Sequence, residues 1–502
     1  MSRLRRVIVI LTAVAVAAVM AVGGGFFRLY SDAEVSTVGT SFSREMAVPP
    51  LAKPAVARDG TKVFDLTMQA GQKEFRAGQQ TPTWGFNGDF LGPTLRASRG
   101  DKVEVRIRNA LGETSTVHWH GMHLPAAMDG GPHQTVAPGG SWSPHWTVDQ
   151  PAATLWYHPH PHGRTEQHVR RGLAGMFLLD DERAAKLPLP KNYGVDDLPV
   201  VVQDVRFDGA EFDHGHKMMA GSGFLGDRTM VNGTLEPYKE VSDELIRLRL
   251  LNASTARFYH FGFADDRRFS LIASDGGLLP QAVPMDRIRL SPGERAEMVV
   301  RMQPGERVVL RSHPQSLGDF WQTRFNGGDD SFDVLELRAA KTLRPSPELP
   351  GALGEPELPD GEDSVRTRFF GLQRSGINGR PMSMDRIDET VTRGTTETWV
   401  LRNDDGMPHN FHVHDVQFRV LEVDGRQPPP HLRGPKDTVF VPGNRSVKIA
   451  VRFTGPADPD TPYMYHCHLL YHEDEGMMGQ FVVVEQGQRA GEVRAPHSHA
   501  GH

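Results

Sequence analysis

Cysteine is almost missing from this chain: one residue, Cys467, in 502. A lone thiol excludes any disulfide within the chain, so stability has to come from burial. A basic excess is missing as well. With 56 Lys and Arg against 62 Asp and Glu, the formal net charge is −6, and the chain lacks the basic footprint of a nucleic-acid binder. Long uninterrupted helices are disfavoured by 52 Gly and 37 Pro, which indicate many short strands joined by turns. Hydrophobic residues make up 38%, enough to fill several cores and to exclude a disordered chain. At roughly 150 residues per domain, the length indicates about three domains. Against the single thiol stand 23 His, an imbalance that directs attention to metal sites.

The first thirty residues concern location. Arg3, Arg5 and Arg6 precede Val7 to Val22, which is apolar except for Thr12, and Gly23 to Phe27 extend the run. A basic start followed by such a run reads as an export signal, or as an uncleaved anchor with its basic end in the cytoplasm, rather than as a core helix. Val7 to Phe27 is about long enough to span a bilayer. No Cys follows the run, which excludes a lipid anchor, and Arg5-Arg6 lacks the flanking residues of a twin-arginine signal. Residues 1–30 are therefore expected to send the protein to the periplasm or beyond, with a retained anchor as the one expected contact with the membrane.

The body repeats itself. Alternating stretches end in Asn at Val103–Asn109, Ile246–Asn252 and Trp399–Asn403, and each is followed later by a Pro-Gly turn, at Pro138, Pro292 and Pro442. Asp286-Arg-Ile-Arg-Leu-Ser-Pro-Gly in the second copy matches Asp437-Thr-Val-Phe-Val-Pro-Gly in the third. Period-two strands bounded by Gly, Pro, Asn and Asp predict β-sandwiches. The expected units are 45–185, 195–345 and 362–488, with a Pro-rich linker from Pro345 to Asp363 and a His-containing tail over 489–502.

Four His-x-His pairs fall in the outer units: His118-Trp-His120, His158-Pro-His160, His412-Val-His414 and His466-Cys-His468. In a strand, residues i and i+2 share a face, so each pair presents two imidazoles together. Opposed pairs from two domains could enclose a shared site with eight nitrogen donors. Zinc takes four ligands and its structural sites usually recruit Cys, so eight His suit several ions better than one.

The only thiol stands inside the last pair, and alternation turns Cys467 away from the face of His466 and His468. His472 follows it by five positions and Met477 by ten, while His409 lies three before His412. Two His, one Cys and a weak axial Met compose a blue-copper electron-transfer site. Cys467 would then hold one copper while its neighbours hold others, leaving one or two residues for an electron to cross.

With these motifs the chain resembles the multicopper oxidases, a family that includes laccases, bilirubin oxidases and bacterial cuprous oxidases. The resemblance runs from about residue 50 to 485. It implies an all-β fold of three consecutive cupredoxin-like Greek-key β-sandwiches and four copper ions. Carried over, the type 1 ligands are His409, Cys467, His472 and Met477. The type 2 copper takes His118 and His412, and the type 3 pair takes His120, His158, His160, His414, His466 and His468. Pro159 stands where the first unit would need a Cys for a blue site of its own. Similar enzymes withdraw single electrons at type 1 copper and reduce O₂ to water at the trinuclear cluster. Asp129 and Glu473 match carboxylates that help move protons there; as bare sequence they also read as an ordinary Asp-Gly-Gly turn and a solvated acidic run.

Asp405-Gly-Met407-Pro-His409 resembles the cuprous oxidases, whose Asp and Met near the type 1 His bind Cu(I), a soft ion suited to thioether. Those enzymes carry a Met-rich insertion before the last sandwich, whereas Pro345 to Arg368 here contains no Met. The expected reductants are therefore phenols or other organic molecules together with Cu(I), with O₂ as acceptor and the protein acting as a monomer. His214, His216, Met218 and Met219 form a further cluster, and His497, His499 and His502 end the tail. Copper storage or delivery is the competing reading, favoured by these clusters and disfavoured by the Cys467 arrangement. A two-domain copper nitrite reductase would lack the four His pairs.

Overall fold

The computed structural model describes residues 3–217 and 219–493. Met218 and the tail His497, His499 and His502 lie outside the described residues. Among the described residues seven sheets are present, and six of them pair into three sandwiches joined in chain order.

In each sandwich the Asn-ending strand occupies the same place. Lys102–Asn109 runs parallel to Lys62–Arg76, Leu245–Asn252 parallel to Asp197–Val205, and Thr396–Asn403 parallel to Arg366–Gln373. The strand after each Pro-Gly turn returns antiparallel on its other side: Ser141–Trp142, Arg295–Arg301 and Ser446–Arg452. Residues alternating inward along these strands fill three separate cores. The first gathers Phe64, Trp119 and Phe177, the second Leu248, Phe261 and Met298, and the third Trp399, Phe411 and Phe481.

The repeated Asn does the same work three times. Asn109 Nδ2 donates to the carbonyls of Glu113 and Val136, and its Oδ1 accepts from Leu111 N. Asn252 makes the equivalent bonds to Arg257 O, Leu290 O and Ser254 N. Asn403 makes them to Met407 O, Val441 O and Asp405 N. A short side chain with both donor and acceptor ties the strand end, the start of the next loop and the strand before the Pro-Gly turn.

The linker after Pro345 forms neither helix nor strand up to Asp363, yet it is not loose: Leu353 is buried beside Leu189, Leu245, Ile272 and Val299. At the other end, the apolar run forms a helix, Arg3–Ala33. Its last turns rest on the body, with the Phe26 ring edge-on to Trp321 at 5.0 Å and Arg324 Nε donating to Tyr30 O. Among the described residues no helix is long and apolar enough to cross a membrane. The apolar run read from the sequence lies within this helix.

Candidate metal centres

The His pairs meet because the ladders put them opposite one another. His118 is registered with His158 across the antiparallel strands His118–His120 and Ala153–His158. His412 is registered with His466 between His409–Val413 and Asp458–His466. All eight imidazoles are buried, and the two ladders, from the first and third sandwiches, face each other. His118 stacks on His414 at 3.8 Å and His120 on His412 at 3.7 Å.

Their nitrogens converge in groups. His120, His158 and His468 form one, and His160, His414 and His466 a second; His118 and His412 approach each other, with His414 alongside. In the second group His466 Nε2 lies 3.2 Å from both His160 Nε2 and His414 Nε2. Burial, reinforced by neighbouring imidazoles, pushes His120, His158, His412, His414 and His468 well below the ordinary value, so each offers a neutral ring. Outward nitrogens meet acceptors: His118 Nδ1 is 3.0 Å from Asp129 O and His412 Nδ1 is 2.9 Å from Asp437 O. That contact fixes the tautomer and aims the other nitrogen inward. His118 Nε2, His412 Nε2 and both nitrogens of His468 have no hydrogen-bond partner. Orphaned buried nitrogens are costly, and cations between them would satisfy all at once. The donor set therefore fits metal.

A second centre lies beyond His466. The strand Asp458–His466 stops one residue before the thiol, but pairing continues, because Cys467 N donates to Met477 O. The thiol accordingly points away from the rings of His466 and His468. Its Sγ lies 3.7 Å from Nδ1 of both His409 and His472, which are themselves 3.1 Å apart. Met477 is buried, and its N–H donates to His472 O at 2.8 Å. His472 Nε2 donates to Gly221 O at 2.9 Å and His409 Nε2 lies 3.0 Å from Asp405 Oδ1, leaving both Nδ1 atoms for a metal. Burial pushes the Cys467 thiol up to about 12; a bound cation reverses that and takes the thiolate.

Asp129 and Glu473 are not the solvated turn and acidic run that their sequences allow. Both are buried. Asp129 Oδ2 lies 2.7 Å from His414 Nδ1, and Glu473 bridges His466 Nδ1 at 3.1 Å and His160 Nδ1 at 3.3 Å. Burial pushes Glu473 up, but the charges of His160 and His466 outweigh it and hold the carboxyl below its usual range. Asp405 caps its own turn, accepting from Met407 N and Arg374 N. Burial opposes its ionisation, while His409 and these amides hold it at about 2. Met407 packs so closely on Gly221 that a Cβ there would lie 2.0 Å from its methyl group. His216 pairs with Glu166 at 3.0 Å and sets its ring edge-on to Tyr471, beside His472.

Three residues outside the motif reading complete the surroundings. Asn410 Oδ1 accepts from His468 N at 2.7 Å and lies 3.6 Å from Cys467 Sγ. Asp437 and Thr438 each approach His120 Nε2 at 3.1 Å. Asn410 stands inside the His409–His414 motif and Asp437 opens the repeated Pro-Gly segment, so position alone could have singled them out.

A fold of three sandwiches, with a buried His cluster shared by the outer two and a His-Cys-His site wired to it, defines a recognised class. The chain belongs to the multicopper oxidase family, a copper-binding oxidoreductase family whose sequence profiles match residues 67–184 and 355–487. Among its relatives, the cell division protein FtsP of Salmonella typhimurium is 38% identical over 448 residues, which cover 87% of this chain and 92% of that protein. The multicopper oxidase mco of Staphylococcus haemolyticus is 36% identical over 445 residues, covering 88% and 92%. A solved structure, the laccase-like multicopper oxidase CueO from Ochrobactrum sp., superposes with a TM-score of 0.80 at 35% identity, over 88% of this chain and all of that one. The all-β, cupredoxin-like architecture expected from the sequence is thereby established.

Proposed function

We propose that the chain is a four-copper oxidase that couples one-electron oxidation of phenolic or other organic reductants, and of Cu(I), to the reduction of O₂ to water. The observation that carries this reading is the placement of Cys467: its Sγ faces His409 and His472 at 3.7 Å while its two chain neighbours serve the buried His cluster. Type 1 copper would be held by His409, Cys467, His472 and Met477, type 2 by His118 and His412, and the type 3 pair by the remaining six His. Bound copper would supply the one-electron chemistry at the first site and the four-electron chemistry at the cluster.

The chain's own groups do the rest. His466-Cys467-His468 gives a covalent path between the two centres. Glu473 and Asp129 place carboxylate oxygens against the Nδ1 atoms of cluster imidazoles, where they can relay the protons that O₂ reduction consumes. Burial of the eight cluster imidazoles keeps bulk water out. Asp405 and Met407 set a carboxylate and a thioether beside His409, a landing place for Cu(I), and the absence of Met from Pro345 to Arg368 favours organic reductants as well. Relatives include proteins named for cell division; the converging donor groups of this chain favour oxidation. The basic-then-apolar first thirty residues favour an exported protein working outside the cytoplasm.

The test is a visible spectrum of copper-loaded protein with O₂ consumption on Cu(I) and on a phenol. An intense thiolate band with turnover supports the oxidase; bound copper without turnover supports storage or delivery. Asp405→Ala/Met407→Ala should lower the ratio of Cu(I) to phenol turnover, because outer-sphere transfer from a phenol needs only proximity to His409 or His472. An unchanged ratio removes the Cu(I) site.

A further inference from the structure

Among the described residues the middle sandwich gives no donor to either centre, yet it reaches the His cluster through one cation. Arg295 is buried at 1% exposure. Its guanidinium grips Asp437 as a fork, Nη1 donating to Oδ1 at 2.8 Å and Nη2 to Oδ2 at 2.6 Å. The remaining hydrogens go to main-chain carbonyls: Nε to Thr154 at 2.9 Å, Nη1 to Gly293 at 3.0 Å and Nη2 to Asp275 at 3.1 Å. Thr154 belongs to the first sandwich, Gly293 and Asp275 to the second, and Asp437 to the third. One side chain is thus satisfied by all three.

Asp437 passes this fixation on. Its Oδ1 lies 3.1 Å from His120 Nε2 and accepts from Thr438 Oγ1 at 2.9 Å, and its carbonyl faces His412 Nδ1. A carboxylate at Nε2 sets the His120 proton outward and turns Nδ1 toward His158 Nε2, 3.5 Å away. The surrounding backbone leaves no slack. Gly121 has φ +84°, and a Cβ there would lie 2.5 Å from Asp437 Oδ2 and 2.7 Å from Arg295 Nη2. Gly293, with φ +85°, is wedged between the rings of His120 and His468, where a Cβ would come within 3.1 Å of both.

We propose that Arg295 is a positioning residue for the cluster: by clamping Asp437 it fixes the tautomer and ring angle of His120, so that the ligand-free middle sandwich sets the geometry of a centre shared by the other two. This rests on the copper-cluster reading above. Lysine cannot replace it fully, because a single ammonium cannot span both carboxylate oxygens.

The experiment compares copper-loaded wild type, Arg295→Lys, Arg295→Met and the charge-balanced double variant Arg295→Met/Asp437→Asn. Four quantities are read: copper per chain, the blue thiolate band, the near-ultraviolet absorption of the coupled copper pair and the type 2 electron paramagnetic resonance signal. Arg295→Met should keep the blue band, which reports a folded third sandwich, while its cluster copper binds about tenfold more weakly or worse and the near-ultraviolet absorption falls. Arg295→Lys should be intermediate. The double variant, which carries no uncompensated charge, should remain defective, since nothing anchors the acceptor at His120. Wild-type signals in Arg295→Met, or their full recovery in the double variant, overturn the proposal by reducing the pair to a structural salt bridge. Wild-type protein that takes up no cluster copper overturns the oxidase reading itself, and this inference with it; the wild-type control separates the two failures.

Discussion

Cys467 shows what a single residue can and cannot disclose. Its spacing to His472 and Met477 was legible because one turn and one short helix, Leu470–Asp474, carry the chain from thiol to imidazole to thioether. Cys467→Ser should abolish the blue band and all oxidation while leaving circular dichroism unchanged, since the hydroxyl fills nearly the same space; a serine variant that stays blue would refute the ligand assignment. Glu473 was harder to read, because an acidic run looks solvated until the helix turns it under His160 and His466. Glu473→Gln keeps the shape and removes the proton carrier. O₂ turnover should fall by about 10²-fold, whereas bleaching of the blue band by anaerobic reductant should keep its rate. Stopped-flow absorbance beside an oxygen electrode separates the two.

At the scale of elements, the pleat explains why so much of the site could be read in advance. A period of two is a property of every strand, so His-x-His declares a shared face wherever the strand lies. The three Asn were legible as a repeat, but their bonding was not, because each closes on carbonyls up to 38 residues away. Asn252 tests that role in the middle sandwich, which among the described residues gives no donor to either metal centre. Asn252→Ala strands the carbonyls of Arg257 and Leu290 and the N–H of Ser254. The expected loss is about 3 kcal/mol in urea unfolding. The Arg295–Asp437 pair was illegible for a different reason: its partners are 142 residues apart and meet through the docking of sandwiches, which no local pattern encodes.

Across the whole molecule, the first and third sandwiches are also joined outside the cluster. His123 Nδ1 lies 2.8 Å from Asp415 Oδ1, with the His123 side chain 20% exposed. The charge of Asp415 outweighs burial and raises His123 to about 9. A histidine whose folded value exceeds its unfolded value of about 6.5 stabilises fully below that pH, and loses the contribution as pH rises through about 9. Stability should therefore decline between about pH 6.5 and 9, by on the order of 2 kcal/mol from this pair. His123→Gln should flatten that part of the profile. Urea melts of both proteins across the range measure the difference; parallel slopes would assign the loss to other groups.

The Asn pins have one more consequence. Each fastens the root of a loop to the strand on which the chain comes back, across 27 residues in the first copy and 38 in the other two. With the root of the loop bolted down, the few residues that follow the Asn become a replaceable cassette: in the third copy Asn403 Nδ2 donates to Met407 O and Oδ1 accepts from Asp405 N, so side chains of this short turn can be exchanged without shifting the scaffold beneath. That turn carries Asp405 and Met407 and stops short of His409, so reductant preference is open to grafting while the metal donors and the electron path at Cys467 stay where they are.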